Sequence, residues 1–169
     1  MSQEQTARVT RCYVQKLNAP PEKVFPLLCP TREYEWIEPW QCDLLYSRSG
    51  VAELHCVFTT GATGDPSEEL WVISRYEPSR IIEFVRVNAV RVLCYSIVLD
   101  DNGDGTTSAR NTQTLTALRG CVLEEGEDEQ FRQEMRIGEI LLNHYLSTGR
   151  RLPFGEAMAK VARGTNSKC

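Results

Sequence analysis

The sequence from residue 81 to residue 118 is IIEFVRVNAVRVLCYSIVLDDNGDGTTSARNTQTLTAL. Three segments of this stretch are rich in Val, Ile, Thr and Tyr, which favour β-strands: residues 81–87, 91–100 and 106–118. Only Asn88-Ala89 and the turn-forming residues 102–105 separate them. Connections this short join antiparallel neighbours, because a parallel pair needs a crossover of a dozen or more residues. The stretch therefore predicts an antiparallel sheet.

Similar segments lie upstream of residue 81. Strand-favouring residues recur at 9–17, 41–49, 54–60 and 69–76. Between the first two of these segments, Pro21 suits the first turn of a helix and Pro30 ends it. The spacing predicts short helices at 22–28 and 31–36.

Downstream of residue 118 the hydrophobic period becomes that of a helix. Phe131, Met135, Leu142 and Tyr145 recur at helical spacing, which predicts an amphipathic helix from 128 to 146, and residues 154–161 can add a further turn or two. A single long helix must cover one face of the sheet to bury both apolar surfaces. The predicted fold class is α+β: a seven-stranded antiparallel curved sheet wrapped around a long C-terminal helix, with two short helices after strand one.

Composition bounds the class of protein. The chain has 169 residues, 41% of them hydrophobic and 25% charged, so we expect residues 1–169 to form one globular domain with a frayed tail at 163–169. No apolar run approaches the ~18 residues of a membrane span. The polar first residues lack the apolar core of a secretory signal, which predicts a cytoplasmic location. A net charge of −4 argues against nucleic-acid binding.

The seven cysteines are odd in number and form no CxxC pair. Most lie among apolar residues of predicted strands. Together with a cytoplasmic location, this predicts reduced thiols that are mostly buried and slow to react, with Cys169 as the main reactive group.

Short motifs resemble a known superfamily. They are APPEKVF at 19–25, EYEW at 33–36 ahead of Trp40, RYEP at 75–78 and the glycine-rich turn bracketed by residues 97–106. With the element order, they resemble the START-related or SRPBCC superfamily, whose helix-grip fold is shared by birch-pollen allergens, polyketide cyclases and coenzyme-Q-binding proteins. The resemblance spans residues 9–145. It implies binding of a small hydrophobic or amphipathic molecule in a central cavity, and only some members are enzymes.

Alternation along the strands selects the residues that would line such a cavity. The apolar side of each strand should face the long helix, and the lone indole of Trp71 is better accommodated beside a void than in water. Trp36 and Trp40 would stand at the mouth, or alternatively pack the short helix onto the sheet. The expected ligand-binding residues are Trp36, Trp40, Phe58, Trp71, Tyr95, Ile97, Leu142 and Tyr145.

Polar residues leave several alternatives open. The threonine-rich segment 106–116 can give the cavity a polar wall or simply reflect β-propensity. Arg75 and Arg86 would recognise a carboxylate if they face inward, or pair with glutamates across the sheet. His55 and His144 lack metal-ligand spacing, and the EF-hand-like 100–105 segment lacks its closing glutamate, so we expect a hairpin turn and neither metal nor cofactor.

The predicted function is binding of a lipid- or polyketide-like molecule in an internal cavity. A polyketide cyclase or aromatase is the first alternative, and a protein-interaction module the second. An inward His or Arg near an inward Tyr favours the enzyme, whereas a large exposed apolar patch favours the interaction module. A homodimer is one further expected partnership.

Overall fold

The structure is a computed structural model that describes residues 7–65, 68–122 and 127–165. Its strands are β1 (Arg8–Leu17), β2 (Cys42–Tyr46), β3 (Val57–Thr60), β4 (Glu69–Glu77), β5 (Ile81–Val87), β6 (Arg91–Asp101) and β7 (Thr107–Ala117). Its helices are α1 (Pro21–Val24), two 3₁₀ helices (Phe25–Leu28 and Glu33–Glu35), α2 (Glu127–Thr148) and α3 (Phe154–Thr165).

The strands form one seven-stranded sheet in the order β1-β7-β6-β5-β4-β3-β2, with every neighbouring pair antiparallel. The first strand returns to pair with the last along its whole length, from Arg8 opposite Thr116 to Leu17 opposite Thr107. Helix α2 packs on the sheet from the side of β1. This curved α+β architecture with a long C-terminal helix confirms the predicted fold class.

Several boundaries differ from those predicted. Strand β3 begins at Val57 rather than residue 54, because residues 47–53 form a loop in which the Glu53 carboxylate accepts the backbone N–H groups of Arg48 and Ser49. Leu54 is consequently 50% exposed. Helix α3 extends through part of the predicted frayed tail, of which residues 166–169 lie outside the described residues.

The core lies between the concave sheet face and α2. Strand β7 buries alternate side chains from Thr107 to Ala117, and β6 buries Leu93, Ile97 and Leu99 on the same face. Leu141 and Leu142 of α2 are 1% and 2% exposed. Strand alternation therefore orients the sheet as the sequence predicts.

The predicted hairpin turn between β6 and β7 is confirmed. The backbone N–H of Gly103 donates to the Asp101 carboxylate at 2.8 Å, and that of Thr106 donates to the Asp104 carboxylate at 3.0 Å. Gly103 and Gly105 have φ of 75° and 81°, values that glycine adopts without strain. The aspartates thus stabilise the turn itself.

The prediction that most cysteines are buried is wrong. Of the six described cysteines, all of them free thiols, Cys29 and Cys56 are buried, whereas Cys12 and Cys94 are exposed. Cys12 and Cys94 lie beside inward-facing neighbours on their strands, so alternation turns them to the outer sheet face. Apolar surroundings in the sequence therefore do not ensure burial on a two-sided sheet.

In the described part of the chain, no helix is both long and apolar enough to cross a membrane.

Candidate ligand-binding cavity

Aromatic side chains cover the concave face of strands β3 to β6. Phe58 and Trp71 lie opposite each other in the β3–β4 register and stack with ring centroids 5.2 Å apart. Phe84 meets the Trp71 ring edge-on at 5.6 Å, and Tyr95 continues the series at 6.1 Å from Phe84. Trp40, from the loop before β2, contacts Trp71 edge-on at 6.4 Å. We call this set the aromatic wall.

Trp71 is the centre of the aromatic wall. It is 7% exposed, whereas its neighbour Leu70 is 41% exposed, so the predicted choice of strand face is confirmed. Its indole N–H donates to the Thr60 hydroxyl at 2.8 Å. The Arg86 guanidinium lies 4.0 Å from the ring centroid, in a cation–π contact.

Arg86 combines the two orientations left open by the sequence. It faces inward over Trp71, and it is also paired with a glutamate. Its Nε donates to the Glu69 carboxylate at 3.0 Å, and its Nη2 donates to the same oxygen. Glu69 is 7% exposed, so the charges of this ion pair balance in the interior.

A chain of hydrogen bonds crosses the interior from the sheet to α2. The Tyr95 hydroxyl donates to Asn111 at 2.6 Å, and the Asn111 amide donates to Gln15 at 3.1 Å. The Gln15 amide then donates to the backbone carbonyl of Met135 at 2.7 Å. The predicted polar wall of the threonine-rich strand thus exists, but Asn111 and Gln113, both buried, form most of it.

Glu33 is a half-buried acid that the sequence analysis did not single out. Burial raises the pKa of its carboxyl to about 8, against the lowering effect of the Arg86 charge. Burial also raises the pKa of Tyr95, and the charge of Glu33 adds to that effect. The side chains of Glu33 and Tyr95 are both partly exposed to solvent, although burial is the main cause of both pKa shifts.

Glu35 lies on the same 3₁₀ helix in the opposite environment. Arg32 donates two hydrogen bonds to its carboxylate, at 2.7 and 3.0 Å, and the Tyr145 hydroxyl donates a third at 2.6 Å. These bonds lower the pKa of Glu35 to about 2. Tyr145 therefore fastens the 3₁₀ helix to α2.

A pocket of about 630 Å³ opens at the end of the sheet, between the β5–β6 hairpin and the first half of α2. Its inner surface includes Leu93, Gln113 and Leu115, which are buried, and its rim includes Val90 and Val122, which are exposed. Arg86 lines this pocket as well as covering Trp71. The pocket therefore adjoins the aromatic wall, and we call it the arginine pocket.

The charges around the arginine pocket balance. Its arginines are Arg11, Arg86 and Arg91. Arg11 pairs with Asp128 at 2.9 Å, and Arg91 lies 3.7 Å from Glu69, the partner of Arg86. Glu134 supplies a further carboxylate in the lining. Among the residues that the structure describes, the charges in and beside this pocket leave no excess of positive charge with which to attract an anion.

The predicted ligand-binding residues fall into two groups. Phe58, Trp71, Tyr95 and Ile97 lie together on the concave face, with Trp40 against Trp71 and Leu142 in the core facing them. Trp36 does not stand at a mouth: it is 5% exposed and donates its indole N–H to the Leu27 carbonyl at 2.9 Å. For Trp36, the alternative that it packs a short helix is therefore correct. Tyr145, the other residue of this second group, contacts Glu35.

No cluster of three or more His, Cys, Asp and Glu side chains suited to a metal ion occurs within residues 7–65, 68–122 and 127–165.

No family model and no curated protein matches the sequence. Solved structures do match. Ara h 8.0201 is 15% identical with a TM-score of 0.62, over 84% of this chain and 99% of that one. DynU16, from the dynemicin biosynthetic locus, is 17% identical with a TM-score of 0.58, over 83% of this chain but only 48% of its own. A Thalictrum flavum norcoclaurine synthase mutant, in complex with a transition-state analogue, is 10% identical with a TM-score of 0.56, over 84% and 99%.

These similarities confirm the helix-grip fold for this chain. At these identities they concern the fold alone, and function must be argued from the site.

Proposed function

We propose that this protein binds a small hydrophobic or aromatic molecule, lipid- or polyketide-like, between the concave sheet face and α2. The observation that carries this proposal is the aromatic wall beside an open pocket of about 630 Å³. Small-molecule sites combine aromatic and apolar side chains with fixed polar groups. Here the aromatic wall supplies the first kind, and Arg86, which lines the pocket, supplies one of the second. The helix-grip norcoclaurine synthase that holds a transition-state analogue supports small-molecule binding by this fold.

A titration with 2-ethylnaphthalene, a neutral probe, tests the proposal. We expect saturable quenching of tryptophan fluorescence with one site per chain. Leu93→Phe, which narrows the arginine pocket from its buried floor, should weaken binding at least about tenfold. Val92→Phe places the same ring on the other face of the strand and should leave affinity unchanged. Equal affinities in the two variants would exclude this pocket as the entry to the site.

A polyketide cyclase or aromatase is the second candidate. Arg86 and Tyr95 both face inward, and Glu33 adds a carboxyl whose pKa of about 8 suits proton transfer near neutral pH. In such a reaction a base removes a proton from the carbon beside a ketone, and the enolate attacks a second carbonyl. The new alkoxide is protonated to a hydroxyl. Removal of a second proton from the same carbon and departure of the hydroxyl, together as water, then form the carbon–carbon double bond.

The first step of that reaction can be measured alone. In heavy water, an enzyme of this kind should accelerate deuterium exchange at the methyl group of 2-acetylnaphthalene above the buffer rate, and Glu33→Gln should abolish the acceleration. A carrier should bind the ketone without accelerating exchange. Proton NMR of the methyl signal distinguishes the two functions.

The proposal includes action in the cytoplasm and as a homodimer. The free thiols of the six described cysteines support a reducing compartment. Leu45 and Tyr46, on the edge strand β2, are 59% and 61% exposed and suit contact with a second copy. Light scattering gives the oligomeric state of the wild type and of Leu45→Lys. We expect a dimeric wild type and a monomeric Leu45→Lys, and a monomeric wild type would contradict the proposed dimer.

A further inference from the structure

We infer, resting on the proposed function, that Gln113 is a ligand-binding residue whose carboxamide exchanges two hydrogen bonds with a neutral amide group of the ligand. The apolar part of that ligand would lie against Leu93, Leu115 and Phe131, which are buried and line the arginine pocket. This names a ligand class: uncharged compounds that join an aromatic body to an amide or lactam, rather than plain hydrocarbons or carboxylates.

The first argument is that Gln113 is a buried polar side chain without a protein partner. In the described part of the chain, the polar side chains that are buried are Gln15, Glu69, Thr107, Asn111 and Gln113. Gln15 and Asn111 bond to each other. Glu69 accepts from Arg86, and Thr107 donates to the Ala19 carbonyl. No described residue makes a hydrogen bond with the Gln113 carboxamide. A buried amide without a partner is costly, so a ligand that supplies one is favoured.

The second argument is that Gln113 faces the arginine pocket. Alternation along β7 places it on the inner face together with Asn111 and Leu115. It lies opposite Tyr95 in the β6–β7 register, and it forms part of the pocket lining. Neither the oxygen nor the nitrogen of its carboxamide is fully enclosed by the described residues. Both atoms can therefore reach a ligand in the pocket.

The third argument is that the other amides of the described lining are already bonded. Asn88 donates to the Glu69 carboxylate at 3.3 Å, and Gln130 donates to the Glu134 carboxylate at 3.0 Å. The arginines of the pocket pair with carboxylates. Gln113 is therefore the amide of this lining that has both a donor and an acceptor left for a ligand.

The chemistry of the carboxamide selects the ligand group. A glutamine side chain offers N–H donors and an acceptor oxygen, and an amide or lactam matches both at once. A ketone would use the donor and leave the oxygen without a partner. A carboxylate would bring an uncompensated charge into a pocket whose charges balance.

The test uses calorimetric titration of three probes that share one aromatic body: 2-naphthamide, 2-naphthoate and 2-ethylnaphthalene. Gln113→Met keeps the length of the side chain but lacks the amide, so it should weaken 2-naphthamide at least about tenfold and leave 2-ethylnaphthalene unchanged. Comparing the two probes across the two proteins cancels their different hydration in water. Thr112→Val, on the outer face of the same strand, should change neither affinity.

Two further measurements use the wild-type protein alone. It should bind 2-naphthamide at least about tenfold tighter than 2-naphthoate, because only the second brings a charge. In nitrogen-15 NMR spectra, the side-chain NH₂ signals of Gln113 should move on addition of 2-naphthamide and much less with 2-ethylnaphthalene.

The outcomes separate this inference from the proposed function. If 2-ethylnaphthalene binds but Gln113→Met affects both probes equally, or the Gln113 signals do not respond to 2-naphthamide, the inference is wrong and the proposed function stands. Equal affinity for 2-naphthoate and 2-naphthamide would also overturn the neutral amide as the ligand class. If none of the three probes binds, the proposed function fails and the inference fails with it.

Discussion

Glu33 and Glu35 lie two residues apart on one 3₁₀ helix, yet the pKa values of their carboxyl groups are shifted in opposite directions. Burial raises the pKa of Glu33 to about 8, whereas hydrogen bonds from Arg32 and Tyr145 lower the pKa of Glu35 to about 2. One short helix thus carries two acids in different environments, of which Glu35 contacts α2 through Tyr145. The hydrogen bonds of Glu35 with Arg32 and Tyr145 hold the helix that also carries Glu33.

The pH dependence of stability should reveal Glu33. Its pKa is raised above the ordinary value of 4.5, so the folded state binds the proton more tightly than the unfolded chain. Its contribution to stability is complete below pH 4.5 and is lost as pH rises through about 8, at no more than ~1.4 kcal/mol per pH unit. Urea denaturation at pH 5, 6.5 and 8 should show this decline in wild type and less of it in Glu33→Gln. Parallel profiles in the two proteins would contradict the buried position of Glu33.

The opposite sign holds for Glu35. Its lowered pKa contributes stability that is present above pH 4.5 and lost as pH falls toward 2. Tyr145→Phe removes one hydrogen bond to it, so the pKa of Glu35 should rise toward its ordinary value. Because the pair is partly exposed, stability at pH 7 should fall by less than ~1 kcal/mol. Carboxyl carbon NMR gives the midpoint directly, and an unchanged midpoint would mean that Tyr145 does not bond Glu35 in solution.

Tryptophan fluorescence should distinguish the contribution of Trp71 to ligand quenching from that of Trp36. Trp71 lies in the aromatic wall, whereas Trp36 packs against the Leu27 carbonyl. Quenching by 2-ethylnaphthalene should survive in Trp36→Phe and largely disappear in Trp71→Phe, which keeps an aromatic ring against Phe58. If quenching instead disappeared in Trp36→Phe and survived in Trp71→Phe, the ligand site would lie at the short helices.

Thiol reactivity should follow exposure rather than local hydrophobicity. In a Cys169→Ser background, the exposed Cys12 and Cys94 should react fast with a chromogenic disulfide under native conditions. Cys56 should react slowly, because it is buried and burial raises its pKa to about 11. Substituting Cys12 and Cys94 with serine should remove the fast phase, and its persistence would show that the outer sheet face is assigned incorrectly.

Period-two alternation is the reason that most of the fold could be predicted. On β6, apolar Leu93, Ile97 and Leu99 share one face, so the sequence alone orients the strand toward α2. On β4 both faces are apolar in sequence, and only the size of the Trp71 indole decides between them. The exposed Cys94 shows the limit of this reasoning, because apolar neighbours in the sequence do not tell which face of the sheet a side chain occupies.

The candidate site was less predictable because its polar groups depend on contacts between distant segments. Nothing in EYEW distinguishes Glu33 from Glu35; the difference between their pKa values arises from burial of the Glu33 carboxyl and from the hydrogen bonds that Arg32 and the distant Tyr145 donate to Glu35. Similarly, a three-residue 3₁₀ helix gives too little periodicity to show that Trp36 turns into the core. The sequence could identify the aromatic residues but not the acid among them.

The most direct test of the cavity is an isotope-filtered NOE spectrum of the labelled protein saturated with unlabelled 2-ethylnaphthalene. Binding between the sheet and α2 predicts cross-peaks from the naphthalene protons to Trp71, Phe84 and Tyr95. Cross-peaks confined to exposed side chains such as Leu45 and Tyr46, or none at saturating probe, would contradict the proposed ligand site.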